Sequence, residues 1–444
     1  MDQHEIEELK ESIEEIRLYR KVIAWLAVAI FIGFGVYQIV DHYGLGSHVM
    51  DWIHLLFRWA HVILGISWIG ASFYFIFLEN SLNRTENLRD ELAGNLWAIH
   101  GGGFYYVEKY KIAPGELPKK LHWFKYEAYF TWLTGIILLM LVYYFNAKSF
   151  MVDPSVAKIS SATAILIGSG TLIGGWFLYD FLCSTPLIHK KKSFALVGGT
   201  IIIFIAYFLS HFLSGRAAFI HVGALIGTIM AGNVFFVIIP SQKAMVKAAK
   251  QGKPLDPNLG KFAGLRSLHN NYMTLPVIFV MISNHFPTTY GNAFNWAVLG
   301  GLTLASVAVR HYINMHEKGQ HAVWMIPFAT VALISLVIVT APVKSTRTSS
   351  APVSFTEVMP IFQSRCQSCH SAHPTDDVQK IAPGGVMFDT PEQIQKMAQR
   401  ILVRAVQTKT MPQANKTGIT EEERALIGDW INQGANIAAL ESTR

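Results

Sequence analysis

The stretch SFALVGGTIIIFIAYFLSHFLS, residues 193–214, decides the fold class of this chain. It contains no Asp, Glu, Lys or Arg in 22 residues, and an apolar helix of roughly 20 residues is long enough to cross a bilayer. Eight further apolar runs on either side of it predict spans of similar length. The nine candidates are 22–40, 52–79, 126–145, 161–182, 193–214, 218–240, 270–286, 293–311 and 322–340. We therefore predict an all-α fold, a polytopic membrane helix bundle over residues 1–340.

The composition supports a membrane protein and excludes several other classes. Apolar residues make up 51% of the 444 residues, charged residues 15%, and the mean hydropathy is +0.31, whereas soluble domains average about 25% charged residues. Three cysteines are too few for a disulfide framework. The net charge of +7 is spread over short loops, without a basic stripe that carries interleaved aromatic residues. We therefore expect contact with membrane lipid and no nucleic acid partner.

The distribution of Lys and Arg predicts the orientation of the spans. The loops 80–125, 183–192, 241–269 and 310–321 carry eighteen of these residues, and the loops between them carry three. Because Lys and Arg concentrate in cytoplasmic loops, nine spans place the N-terminus in the cytoplasm and the C-terminus outside. The first twenty residues are charged and mostly acidic, unlike a secretory signal, so the first span is predicted to remain as an anchor.

The C-terminal part of the chain carries a haem attachment motif. A small, polar linker over 341–353 precedes a domain over 354–444, in which Cys366, Cys369 and His370 form a Cys-x-x-Cys-His pattern. The two thiols add across the haem vinyl groups, and the histidine ligates the iron. A thioredoxin-type pair lacks its α/β setting here, and half of a zinc site lacks a second ligand pair. We predict covalent haem c in a small class-I-like cytochrome c domain, on the periplasmic side of a bacterial inner membrane.

The second axial ligand of this iron should be a later Met or His. We favour Met411, which lies in a polar Thr-Met-Pro loop before the last helix. Met387 and Met397 compete with it, although the helical apolar neighbours of Met397 indicate core packing. His373 is too close to His370 to reach the opposite face of the haem.

The last helix has a recognisable start. Thr420 and Glu423 have the spacing of a capping box. We therefore predict a helix that begins there and continues through Trp430, which we expect to pack on the haem.

Ionisable residues at membrane depth are costly and indicate function. His54, Arg58 and His61 share one face of the second span, because spacings of four and three return to the same side of a helix. The predicted ligands of one or more b-type haems in the outer half of the membrane are His61, His211, His221 and His285, with Arg58 as a partner for a propionate. The alternative is that these histidines lie at the interface and bond to backbone carbonyls.

A second polar cluster lies at the cytoplasmic ends of the spans. The loop 80–125 is too long for a bare connector, and it contains a Gly triplet whose N–H groups can approach an anion. The predicted catalytic residues are Glu79, His100, Glu127, Arg310 and His311, and the predicted substrate-binding residues are Gly101, Gly102, Gly103, Tyr105 and His269. The alternative, that these residues only cap the spans by snorkelling, suits short carboxylates such as Glu79 and Asp180 less well.

Several longer motifs together resemble one known family. They are Arg58-Trp59-Ala60-His61, FLENSL at 77–82, HGGGFY at 100–105, HWFKYEAY at 122–129, HNNY at 269–272 and SNH at 283–285. With the haem motif, the chain resembles over nearly its whole length the bacterial membrane-bound urate oxidases (urate hydroxylases) with a C-terminal cytochrome c domain. The resemblance implies that urate is oxidised to 5-hydroxyisourate and that the electrons pass to cytochrome c rather than to oxygen.

The polar residues fit this chemistry. Urate is a planar anion, and its loss of two electrons and gain of water require a base, an anion cradle and an electron sink. Glu79, Glu127 or His100 could be the base. Arg310, His311 and the amides of 101–103 could hold the anion, and Trp97, Phe104 or Tyr105 could stack on the ring. Haem c lies across a hydrocarbon core about 30 Å thick, so a relay within the spans is needed. A soluble or membrane cytochrome c or a terminal oxidase is the expected acceptor.

Two other functions explain part of the sequence. A non-catalytic membrane cytochrome subunit, which relays electrons from a partner dehydrogenase, would use the same histidines and haem c. It leaves the long loop 80–125 and the carboxylates near it without a role. A transporter with a sensing cytochrome would usually show internal repeats, and the sequence shows none.

Overall fold

The computed structural model of the chain describes residues 13, 16–17, 19–21, 23–25, 46–114, 116–341 and 352–437. The described residues up to Arg58 form one compact unit, and those from Trp59 onwards form another. The long helices before the linker are α1 Gly46–Ser81, α2 Tyr126–Tyr144, α3 Ser161–Ser184, α4 Lys191–Phe212, α5 Gly215–Lys250, α6 Pro257–Ile282, α7 Asn295–Glu317 and α8 Met325–Val339. Most of the linker predicted at 341–353 lies outside the described residues.

Six helices in the described ranges are long and apolar enough to cross a membrane. They are α1 to α5 and α7, so the chain is compatible with a membrane protein. Helix α6 carries many polar residues, and α8 has 15 residues, which is why these two predicted spans are not among the six. The predicted span 22–40 lies mostly outside the described residues.

The core of the second unit is built around α5, the most buried of the long helices. Small residues let its neighbours approach closely, as is usual between membrane helices. A Cβ atom on Gly223 would lie 2.5 Å from Val280 on α6, and one on Gly232 would lie 2.5 Å from the Trp176 ring on α3. These two glycines of α5 therefore allow α6 and α3 to pack close to its backbone.

The loop predicted over 80–125 contains a β-hairpin, so the all-α prediction missed one element. Strands β1 Leu92–His100 and β2 Gly103–Tyr110 pair antiparallel, with Trp97 opposite Tyr106 and Ile99 opposite Phe104. Aromatic and β-branched residues at these positions favour a strand. Gly101 and Gly102 have positive φ angles of 58° and 82°, which suits the two-residue turn of a hairpin.

The helices alternate in direction, and the two ends of the bundle need names. We call the hairpin end the one where α1 and α3 finish and α2 and α4 begin. We call the junction end the opposite one, where segments 145–160, 213–214 and 283–294 connect the helices.

The C-terminal part forms a small helical domain with its own core. Its helices are α9 Phe355–Arg365, α10 Pro391–Lys396, α11 Ala398–Ile401 with a π-helical continuation to Gln407, and α12 Glu421–Asn432. The predicted capping box is confirmed, since the Thr420 side chain accepts from Glu423 N–H and Glu423 bonds back. Trp430 is 1% exposed and packs against the Phe355 and Phe362 rings. Protein side chains therefore bury this tryptophan.

Candidate functional site

The hairpin holds several predicted site residues at an exposed position. His100 and Gly101 to Gly103 form its tip, and Tyr105 is 54% exposed. Glu79, at the end of α1, pairs with Arg84 at 2.9 Å and with Lys109 of β2. Glu79 thus anchors the hairpin to α1, and no hydrogen bond or ring contact among the described residues links the tip to the buried polar groups below.

Arg310 lies in the interior of the bundle on α7. It is 0% exposed, its Nε donates to Asn271 Oδ1 at 3.0 Å, and its guanidinium lies 3.9 Å from the centre of the Phe73 ring. Asn314 Nδ2 donates to the same Asn271 oxygen at 2.9 Å. These contacts fix the guanidinium plane between α1, α6 and α7.

The outer edge of this arginine has no partner. Arg310 Nη1 and Nη2, Asn271 Nδ2 and Asn314 Oδ1 are all buried without a hydrogen bond among the described residues. Leaving such groups unpaired costs about 1–3 kcal/mol each, more for a charged group, so each one calls for an explanation. Three donors and one acceptor in a buried cluster, with one full positive charge, can receive an anion that carries both oxygens and an N–H group.

A tyrosine and a histidine next to these residues form a second contact between α6 and α7. Tyr272 OH and His311 Nδ1 are 2.7 Å apart, and the two rings stack at 28°. Tyr272 is the next residue after Asn271, and His311 is the next residue after Arg310. The Tyr272–His311 pair is therefore adjacent in sequence to the Arg310–Asn271 pair on both helices. A phenol bonded to an imidazole can pass a proton in either direction.

A further polar network links α3, α5 and α6 towards the hairpin end. The Arg266 side chain, 2% exposed, donates to Asp180 at 2.6 Å and to Asn233 at 3.0 Å. Asn233 donates in turn to Tyr179 and Asn270, and Tyr179 OH lies 2.9 Å from His269 Nδ1. Most polar groups of this network are hydrogen-bonded to one another. His269 Nδ1 already has Tyr179 as its partner, so we assign His269 a structural role rather than a ligand-binding one.

Sequence reasoning missed the amides and one arginine of these clusters. The five are Asn233, Arg266, Asn270, Asn271 and Asn314. A signal was present, because amide side chains within apolar spans are costly to bury unless they are hydrogen-bonded. A π-helical segment, Asn233–Ile238, also begins at the first of them, and such segments often mark functional sites.

Glu127 stands in the first turn of α2. Its Oε2 is buried without a partner, while its backbone carbonyl accepts from Thr131 Oγ1 at 2.6 Å. The carboxylate therefore keeps a free oxygen, as a base would need.

The four predicted haem-ligating histidines differ in their exposure. His211 and His285 are exposed at the junction end. His61 Nδ1 lies 3.0 Å from Thr131 O on α2, and His221 Nδ1 lies 2.8 Å from Ala217 O. Arg58 lies in the first compact unit, whereas all four histidines lie in the second.

The surroundings of His221 leave its second nitrogen open. His221 is 0% exposed, and its Nε2 has no partner. A Cβ atom on Gly168 would come within 2.4 Å of that nitrogen, so the imidazole packs closely against α3 at a position where only glycine fits. A buried imidazole with its Nδ1 occupied and its Nε2 free is the arrangement of an iron-ligating histidine.

The Cys-x-x-Cys-His motif shows the same preparation of its histidine. His370 Nδ1 donates to Val386 O at 2.9 Å, which leaves Nε2 free. Cys366 and Cys369 are free thiols, and burial raises the pKa of Cys366 to about 12. The described residues contain no group of three or more His, Cys, Asp or Glu that could hold a bare metal ion. A haem iron needs only two protein ligands, so these residues fit haem.

The methionines differ in their surroundings. Met397 packs against the core of the small domain, with its sulfur 3.9 Å from Arg400 Nη1. Met411 lies in a loop whose carbonyl accepts from Arg424 Nη1 at 2.7 Å. Its side chain is half-buried and lines a cavity beside the bundle.

Comparison with known proteins gives one match. The model of the family described as urate oxidase N-terminal matches residues 47–341, from the start of α1 to the end of α8. The match covers about two-thirds of the chain, and the C-terminal domain lies beyond it. No curated protein and no solved structure matches the chain.

Proposed function

This chain belongs to the urate oxidase N-terminal family, and from that premise we propose that it oxidises urate to 5-hydroxyisourate. In this reaction urate and water give 5-hydroxyisourate, two electrons and two protons. The electrons pass to haem c in the C-terminal domain and then to the respiratory chain. The protein is a multi-pass membrane oxidoreductase with its N-terminus in the cytoplasm and its cytochrome domain in the periplasm.

The observation that carries this proposal is the unpartnered edge of the Arg310 guanidinium. Two parallel N–H groups match the adjacent oxygen and deprotonated nitrogen of a urate anion better than a point charge does. Asn271 Nδ2 and Asn314 Oδ1 offer one donor and one acceptor for the other polar atoms of the ring. Burial strengthens each of these interactions, because the local dielectric constant is lower than that of water.

Proton transfer needs groups beside this site. His311, held by Tyr272 at 2.7 Å, takes the proton that leaves as water adds to the ring, and the tyrosine hydroxyl keeps the imidazole oriented. Glu127, with one free oxygen, is a second acceptor. We therefore revise the roles of His100 and Glu79: the exposed tip admits substrate, and Glu79 holds the hairpin.

Cys366 and Cys369 would hold haem c covalently, and His370 Nε2 and Met411 would ligate its iron. When bound, it accepts electrons one at a time. His61 and His221, whose Nδ1 atoms are occupied by oxygens of α2 and α5, are the ligands we assign to b-type haem within the bundle. Such a group would divide the distance across a hydrocarbon core about 30 Å thick.

The direct test uses the purified full-length protein without oxygen. Urate alone should reduce haem c, as followed by its absorbance, and 5-hydroxyisourate should form at one molecule per two electrons. A subunit that only relays electrons from a partner dehydrogenase would stay oxidised with urate, yet would still be reduced by dithionite. That result would refute the proposed activity.

A further inference from the structure

A cavity of about 310 Å³ lies between the junction end of the bundle and the C-terminal domain. The bundle contributes residues from 149–156, 210–216 and 284–296, and the C-terminal domain contributes residues from 404–414. We call it the junction cavity. It is separate from the arginine assigned to urate oxidation, because Arg310 lies 15 residues after Asn295 on α7, about 22 Å further along the helix axis.

The walls of the junction cavity are closely packed where the two parts meet. A Cβ atom on Gly291 would lie 2.6 Å from Thr410 Cγ2 and 2.8 Å from Thr408 O. Glycine at this position therefore allows the Met411 loop to approach the segment between α6 and α7. Both parts line the cavity, so it is formed by the contact between them.

Two arginines face the junction cavity from opposite sides. Arg216 belongs to the bundle, and Arg404 belongs to the C-terminal domain. Burial raises the pKa of Tyr290, and both guanidinium groups oppose that rise, so both lie within electrostatic range of one phenol. Like charges that lie on the two sides of a contact repel each other and weaken it.

Carboxylates of the described residues do not neutralise this pair. Arg216 Nε donates to the amide oxygen of Asn284 at 3.1 Å, and no ion pair of Arg216 or Arg404 occurs in the described ranges. Lys409, also at the cavity, is already paired with Glu421 at 2.7 Å. Asp153 is the one acidic residue in the lining, and its oxygen accepts from Ser155 N–H and Oγ.

Two helices also begin at the junction cavity. Helix α5 begins at Gly215, with Ser214 as its N-cap, and α7 begins at Asn295. The N-terminus of a helix carries a partial positive charge. The cavity thus combines two helix starts with two guanidinium groups that have no carboxylate partner among the described residues, and an anion there would be stabilised by all four.

The remaining polar groups narrow the class of anion. Asn295, 8% exposed, has an amide oxygen without a partner, and Gln413 Nε2 also lacks one. A fully deprotonated oxyanion could satisfy the amide donor but not the amide oxygen, which needs an N–H or O–H donor. Tyr290 and Trp296 supply flat aromatic surfaces in the lining. The fitting ligand is planar, anionic, and equipped with both carbonyl oxygens and N–H groups.

We propose that the junction cavity is a second binding site for a planar heterocyclic anion of the urate type, held between Arg216 and Arg404. The choice of urate among such anions rests on the proposed function. One bound anion between the two arginines offsets part of their mutual repulsion, so it strengthens the contact between the bundle and the C-terminal domain. Occupancy of this site is therefore coupled to docking of the domain that carries the Cys-x-x-Cys-His motif.

The test is the number of urate molecules bound by the full-length protein in detergent, measured by calorimetry. The haem is first reduced with dithionite, so that no turnover occurs. We expect two equivalents for the unmodified protein and one for Arg310→Gln. Arg216→Gln and Arg404→Gln should each weaken binding at the second site by at least about tenfold, as expected for loss of about 1.4 kcal/mol. Lys158→Gln, an exposed cation outside the cavity lining, is the matched control and should leave both sites intact.

The outcomes separate this proposal from the proposed function. If Arg310→Gln still binds two equivalents and Arg216→Gln binds one fewer, the Arg310 site is wrong and the junction site stands. If Arg310→Gln abolishes all urate binding, or if both junction variants behave like Lys158→Gln, the junction site is refuted. A shift in the haem c potential in Arg404→Gln, without any change in urate binding, would assign the cavity to a haem carboxylate and also overturn the proposal. Unchanged circular dichroism in each variant checks that it has folded.

Discussion

The Arg310 side chain is held in place by some of its atoms, and others have no hydrogen-bond partner in the described part of the chain. Its Nε and ring contacts hold the guanidinium still, while its two Nη groups have no partner. An arginine whose role was purely structural would be expected to have those groups paired as well. His221 and His370 are similar: in each, Nδ1 is hydrogen-bonded to a backbone oxygen, and Nε2 has no partner among the described residues.

We predict that Arg310→Gln weakens urate binding by about 10- to 100-fold. The substitution removes the charge and the paired donors, and hydrogen bonds to charged groups contribute about 1.5–3 kcal/mol. Calorimetry or the urate dependence of haem reduction measures the effect. Arg89→Gln, which removes an exposed guanidinium at 55% exposure, should bind urate normally. Equal binding by both variants would contradict the assignment.

We predict that Met411→Ala keeps covalent haem c but lowers its reduction potential, because a Met ligand raises the potential of a haem iron. Redox titration with absorbance detection measures the change. Met397→Ala is the matched control, and it should cost stability through its core contacts while leaving the potential unaltered. An unchanged spectrum in Met411→Ala would move the ligand assignment to Met387.

At the scale of elements, the small domain is held together by an ion pair between two of its loops. Lys416 Nζ donates to Asp376 Oδ2 at 2.7 Å and also contacts Asp377. Desolvation alone would raise the pKa of Asp376, but the Lys416 bond and the N–H groups of Gln379 and Val378 outweigh it and lower the pKa to about 2. The loop after the haem motif is thereby tied to the loop before α12.

This pair predicts a loss of local stability in acid. A carboxyl with a folded pKa of about 2 and an ordinary value of 3.8 contributes stability that is present above pH 3.8 and is lost as the pH falls towards 2. Asp376→Asn should lack this contribution at neutral pH, at a cost of about 1–3 kcal/mol. Hydrogen exchange of segments 366–380 and 412–420, followed by mass spectrometry, measures it.

The neighbouring carboxylate provides the control for this measurement. The side chain of Asp377 is 64% exposed, against 6% for Asp376, and an exposed pair contributes little. Asp377→Asn should therefore exchange nearly like the unmodified protein. Similar effects of the two substitutions would show that the buried position of Asp376 does not matter.

At the scale of the whole molecule, the proposed sites lie at different places along the bundle. Arg310 and the hairpin are towards one end, and the junction cavity and the C-terminal domain are at the other. Electrons released near Arg310 would have to travel through the bundle to reach His370. The half-buried imidazole of His61 lies on α1, and the buried imidazole of His221 lies on α5.

Sealed vesicles of known orientation test this arrangement. Urate supplied on the cytoplasmic face should reduce haem c at full rate, because the hairpin end is predicted to face the cytoplasm. Urate confined to the periplasmic face should fill the junction cavity without reducing the haem. Full-rate reduction from the periplasmic face, in a preparation that does not transport urate, would place the oxidation site on the outside.

Some parts of this structure follow from short stretches of sequence. The long apolar helices, the capping box at Thr420 and the Cys-x-x-Cys-His pattern each depend on residues within a few turns of one another. Their physical causes are local, namely hydrophobic length, a side chain that caps its own helix, and a fixed spacing of thiols. Arg310 and His311 were also singled out this way, because charged and polar residues at the end of an apolar run are visible without a fold.

The rest was decided only by the tertiary structure. The sequence could not pair Arg310 with Asn271, 39 residues away, nor reveal that its Nη groups stay unpartnered. It placed His100 beside the catalytic groups, whereas the pairing of two strands puts that residue at an exposed tip. The junction cavity likewise depends on segments more than 100 residues apart. Hydrogen-bond partners and cavities are set by which helices pack together, and that choice is made by the whole chain.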